Sequence, residues 1–98
     1  EVAVGERIMT LHPQGKQGVN IDRQKYEVVK TAIVDSIQER GIMPFADLAA
    51  AVETRLPRDF DGSVGWYTTS VKLDLEARGL IERVPARSPQ QLRLAGTH

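Results

Sequence analysis

The stretch Leu75-Glu76-Ala77-Arg78-Gly79-Leu80-Ile81-Glu82-Arg83 changes its periodicity halfway along. Ahead of the glycine, Val64, Tyr67 or Thr68, Val71, Leu75 and Arg78 recur at helical spacing and share one face of a helix running from about Ser63 to Arg78. Gly79 supplies the left-handed residue that closes a helix C-terminus without a Cβ penalty. Beyond it, Leu80-Ile81-Glu82-Arg83-Val84 reads as a strand. Leu75 thus anchors a helix end, and Leu80 or Ile81 starts a strand over the same core. Pro85-Ala86-Arg87-Ser88-Pro89 is a loop whose two prolines keep it out of a sheet, and Gln91-Leu92-Arg93-Leu94-Ala95 returns as a second strand.

Upstream, two more helices are legible. Asp22 is placed to cap the first, with Ile21 and Tyr26 at the spacing of a hydrophobic staple. Tyr26, Val29, Ile33 and Ile37 form its apolar stripe, widened by Ala32 and Val34, and Gly41 stops it. The second begins near Pro44 or Phe45, carries Leu48 and Val52 one turn apart, and ends at Pro57. Asp61 or Ser63 can cap the third helix, and Phe60 in the intervening loop is expected to be pinned on the core. Residues 1–20 read as an arm that lies on the domain, with a short strand at Ile8-Met9-Thr10-Leu11 and a turn-rich His12–Gly18 segment. Residues 21–95 form the domain and 96–98 a tail.

With 98 residues, one domain is the default. Thirteen basic and thirteen acidic residues cancel, which excludes a strongly basic histone-like binder. The lack of cysteine removes disulfides, zinc–thiolate sites and cysteine nucleophiles. No apolar run approaches the ~18–20 residues that span a bilayer and no signal peptide is visible, so a cytoplasmic location is expected, with no membrane partner.

The order helix, helix, helix, two-stranded hairpin, together with the 75–83 junction, resembles the winged helix-turn-helix family. The resemblance covers Asp22 to Leu94 and implies an α+β fold, three helices with a β-hairpin wing. The pairing of Ile21-Asp22-Arg23-Gln24-Lys25-Tyr26 with the segment from Gly65-Trp66-Tyr67-Thr68 to Glu76 also resembles a small bacterial family of unknown function, which offers no activity to carry over. One departure bears on docking: the Leu56–Gly62 loop is longer than the tight turn of a helix-turn-helix.

In a DNA-binding winged helix the third helix enters the major groove and the wing touches backbone. The resemblance therefore implies a dimeric, transcription-regulator-like protein on double-stranded DNA. Thr69, Ser70 and Lys72 would lie in the groove, and Arg83, Arg87 and Arg93 on phosphate. Against this, the third helix is charge-neutral, with Lys72 and Arg78 opposing Asp74 and Glu76. With Val71 inward, the outward positions are Trp66, Thr69 and Leu73, flanked by Ser70 and Glu76. Trp66 and Leu73 suit a groove badly. The alternative is a winged helix used for protein association, as a homodimer or with another partner, with Trp66 and Leu73 at its centre. Two roles stay open for Trp66: a partner anchor, or core beneath an arm that folds back through Ile8, Met9 and Leu11.

Catalysis is not expected, nor is a cofactor, a metal or a small-molecule substrate. His12 and His98 are the only histidines and lie at the two ends. Gly15-Lys16-Gln17-Gly18 lacks the P-loop pattern and reads as a surface turn. Asp59 and Asp61 beside Glu53 make an acidic cluster without an evident cleft, and Ser63 has no base nearby in sequence, so capping is its simpler role.

Overall fold

The computed structural model describes residues 5–85 and 88–96. In chain order its elements are β1 (Arg7–Met9), β2 (Asn20–Asp22), α1 (Arg23–Arg40), β3 (Ile42–Pro44), α2 (Phe45–Arg55), α3 (Val64–Ala77), β4 (Ile81–Arg83) and β5 (Gln91–Leu94). The fold is α+β, with three helices and two small antiparallel sheets.

The helix ends follow the local chemistry. The Asp22 carboxylate accepts from the Lys25 N–H at 3.1 Å, so α1 starts where its cap predicts. At the other end the Gly41 N–H donates to the Ile37 carbonyl at 2.7 Å. Ser63, not Asp61, caps α3: its hydroxyl accepts from the Trp66 N–H at 3.2 Å. At the 75–83 junction the Leu80 N–H donates to the Leu75 carbonyl at 2.9 Å and the Gly79 N–H to the Glu76 carbonyl at 3.1 Å. Those are the two bonds of a Schellman stop, and they require the positive φ of Gly79.

Two strands escaped the sequence reading because three residues are too few for alternation to register. Ile42–Pro44 forms β3 and pairs with β5, giving a three-stranded sheet in the order β3-β5-β4, with Leu92 opposite both Met43 and Arg83. Asn20–Asp22 forms β2 and pairs with β1, Ile8 facing Ile21. The expected arm strand is displaced, ending at Met9, not Leu11. The arm packs on its own domain.

The core is built from one face of each helix and the inner face of the larger sheet. Ile33, Ile37, Leu48, Val52, Val71, Leu75, Ile81 and Leu92 are fully buried at its centre. Phe60 is half-buried and meets the Tyr67 ring edge-on, with centroids 5.4 Å apart, so the α2–α3 loop is pinned as expected. The Arg55 guanidinium ties α2 to α1 through Glu39 at 2.8 Å and Ser36 at 3.0 Å.

Candidate functional site

The outer face of α3 is the surface on which the DNA and association readings differ, so the surroundings of its residues matter most. Asp74 organises one flank. It is 0% exposed, and its carboxylate gathers three donors from three parts of the chain. Oδ1 accepts from the Leu11 N–H at 2.8 Å; Oδ2 accepts from the Tyr26 hydroxyl and from Arg78 Nε at 2.8 Å. The arm, α1 and α3 are thus fastened at one side chain. Burial, and then the bond to Asp74, hold the Tyr26 phenol well above its ordinary range, while the same carboxylate raises the Arg78 guanidinium.

From that fastening the arm runs as a strap. The Thr10 N–H donates to the Val19 carbonyl at 2.9 Å, and the Val19 N–H to the Thr10 hydroxyl at 2.8 Å, closing the strap on itself. Gly18 lies so close to Thr10 that a Cβ there would sit 1.8 Å from the Thr10 carbonyl oxygen. Thr10, Leu11, Gly18 and Val19 together with Ser70 and Leu73 frame a dimple of about 70 Å³. Ser70 and Leu73 are consequently half-buried, whereas Thr69 is exposed.

The opposite flank of α3 is closed differently. Lys72 is 2% exposed, paired with Glu76 at 3.0 Å, and its ammonium stands 4.7 Å from the centre of the Phe45 ring. Burial pulls this ammonium below its ordinary range despite Glu76. The expectation that Lys72 is free to lie in a groove is therefore corrected: the α2 start and the Glu76 carboxylate cover it. Arg83 lies 3.4 Å from Glu76 and Arg93 2.5 Å from Glu82, so both hairpin arginines carry carboxylate partners. Arg87 and His98 lie outside the described residues.

The apolar candidates separate. Ile8 packs against the core, while Met9 and Leu11 are 52% and 45% exposed. Trp66 is 46% exposed at the start of α3, its ring edge-on to Tyr67 with centroids 5.0 Å apart. Burial of Trp66 beneath the arm is thus corrected: the strap reaches Leu73, two turns further on, and leaves the indole in the open.

The remaining chemical candidates have local roles. His12 Nδ1 accepts from the Gln14 N–H at 3.1 Å inside the His12–Gly15 turn, which Lys16 follows. Asp61 faces Lys25 at 3.9 Å, and Asp59 lines an open cleft with Lys25, Val28 and Phe60. Among the described residues no group of three or more His, Asp or Glu side chains could hold a metal ion. No helix among them is long and apolar enough to cross a membrane.

The sequence model of a family of unknown function, DUF6958, matches residues 7–92. The chain belongs to this family. The match starts at β1 and ends within β5, so the arm from residue 7 onward, the strap and α3 fall inside what defines DUF6958. No curated protein and no solved structure matches the chain.

Asp74 is the residue that sequence reasoning passed over. Its signal was available: three residues after Val71 and one before Leu75, it points close to the apolar side of the helix. A lone carboxylate there needs donors from elsewhere in the fold.

Proposed function

We propose that this chain is a non-catalytic winged-helix module that works by protein association. The winged-helix assignment rests on the order α1-β3-α2-α3-β4-β5, with β3 joining the far side of the hairpin strand β5. The observation that carries the function is the strap. The outer face of α3, which a groove-reading winged helix must leave bare, is crowded at Ser70 and Leu73 by residues 10–12 and 17–19 of the same chain. What the strap leaves open is Trp66, a residue suited to anchoring a protein partner and poorly suited to base edges.

Electrostatics supports the same choice. Duplex affinity comes largely from phosphates neutralised by free cations, with log K falling by about 0.9 per contact against log salt. Lys72 is buried, and Arg83 and Arg93 already face carboxylates that would have to be displaced.

The test is fluorescence anisotropy of a labelled random-sequence duplex, titrated with the full chain at low and at physiological salt. The association reading expects no binding at either. Binding that weakens steeply with salt overturns it and restores the DNA reading, with Thr69 and Ser70 as the groove residues.

A further inference from the structure

We propose that the cleft between the start of α1 and the α2–α3 loop, with Trp66 beside it, receives a basic segment of a partner protein: a Lys or Arg side chain laid over the Phe60 ring among Asp22, Asp59 and Asp61, and an apolar neighbour of that residue against Trp66. This rests on the association reading above and names the chemistry of the partner.

The cleft has an apolar floor and a fixed wall. Val28, Pro57 and Phe60 floor a volume of about 270 Å³. The wall is the α2–α3 loop, which is held near both ends. The Phe60 N–H donates to the Pro57 carbonyl at 3.0 Å, and the Phe60 ring stands edge-on to Tyr67. Gly62, at φ +140°, lies so close to the Tyr67 ring that a Cβ there would come within 2.5 Å of it. Asp59 and Asp61 are therefore presented by an ordered loop, and a partner meets them without the cost of ordering them first. Trp66 lies one ring further on: Phe60 and Trp66 flank Tyr67, with centroids 5.4 and 5.0 Å from it. An extended segment, at about 3.3 Å per residue, covers that distance in about three residues.

Charge selects the occupant. Around the cleft, Asp22, Asp59 and Asp61 are set against Lys25 alone, while Arg58 lies beyond Phe60 on a neighbouring hollow with Glu53. Three carboxylates to one ammonium leave the rim negative on a chain whose total charge is zero. One Asp22 oxygen caps α1, Asp61 reaches Lys25 only at 3.9 Å, and Asp59 has no partner among the described residues. The chain's own Lys25 shows what the rings accept: its ammonium stands 6.0 Å from the centre of Phe60 and 5.6 Å from that of Tyr67. The open volume beside it holds a second cation, and Arg fits best, because its planar head stacks on a ring and pairs with a carboxylate at once. An acidic segment meets the same rim as repulsion.

The test follows the isotope-labelled full chain by NMR at low salt. The probe is a synthetic octapeptide with one Leu and, three positions on, an Arg-Arg pair, beside a twin with Glu in both basic positions. The basic peptide should shift the amides of Lys25, Asp59, Phe60 and Asp61 and the indole N–H of Trp66, the only tryptophan in the chain. It should bind at least about tenfold tighter than its twin. Reversing two exposed loop charges, Asp59→Lys with Asp61→Lys, should weaken the basic peptide about tenfold or more and strengthen the twin. Lys25→Ala removes the competing ammonium and should tighten the basic peptide about threefold. Melting temperatures of both variants should stay close to wild type, which separates altered recognition from altered folding. Equal binding of the two peptides, indifference to the charge reversal, or shifts confined to the strap overturns the proposal while leaving association standing. The same shifts appearing with chain concentration alone, the mark of a second copy, also overturn it, as does no binding of the basic peptide at millimolar concentration. Salt-dependent duplex binding overturns the association reading beneath it.

Discussion

Replacing Asp74 by alanine removes the one side chain that holds the arm, α1 and α3 together. The Tyr26 hydroxyl loses its acceptor in a buried position, while the Leu11 N–H, in an exposed residue, can turn to water. An orphaned buried donor costs about 1–3 kcal/mol, and Tyr26 is the one that is left so. Arg78 is partly exposed and recovers water, so its ion pair adds little. For a domain of this size each kcal/mol moves the melting temperature by about 4–8 °C, so the midpoint should fall by roughly 5–25 °C. Asp74→Asn keeps the shape and one acceptor and should lose about 1–2 kcal/mol. The assay is urea unfolding followed by far-ultraviolet circular dichroism and Trp66 emission, with hydrogen exchange at the Leu11 amide as the local probe. The reasoning fails if Asp74→Ala costs less than about 1 kcal/mol. It fails equally if the wild-type Leu11 amide exchanges as fast as an open loop.

Two further outcomes follow from the buried charges. Lys72→Met strands Glu76 with only the more distant Arg83, and should cost about 1–3 kcal/mol in urea. Adding Glu76→Leu should return stability close to wild type, and simple additivity of the two losses would refute the coupling. Tyr26 holds its proton to higher pH in the folded chain than in the unfolded one, through burial and Asp74, with Glu27 reinforcing and Arg78 opposing. Its contribution is therefore fully present below the ordinary phenol value near 10 and shrinks as pH rises beyond it. Urea titrations across that range should show a steeper alkaline loss for wild type than for Tyr26→Phe, and equal slopes would sink the assignment.

Most helix boundaries are visible in the sequence because their causes are local. Asp22, Ser63, Gly41 and Gly79 act within one turn of where they stand, and Val71 and Leu75 mark an inward face by spacing alone. The fate of α3's outer residues could not be read that way. Lys72 looks surface-bound on a helical wheel, since only one stripe of an isolated helix is apolar. In the fold the α2 start covers one flank and the arm the other, so the buried arc is wider than the apolar one. Arg83 and Arg93 look free for the same reason, because Glu76 and Glu82 become their partners only when α3, β4 and β5 are assembled.

Sequence by itself determined the three helices, the glycine-stopped junction into a hairpin, the absence of thiol chemistry and the neutral charge balance, all set by residue identity and near neighbours. Tertiary structure alone decided that β3 completes the larger sheet, that Asp74 fastens the arm, that Lys72 is buried and that Trp66 is not. Each of those depends on segments distant in sequence competing for the same surface, and that competition is settled only when the whole chain packs.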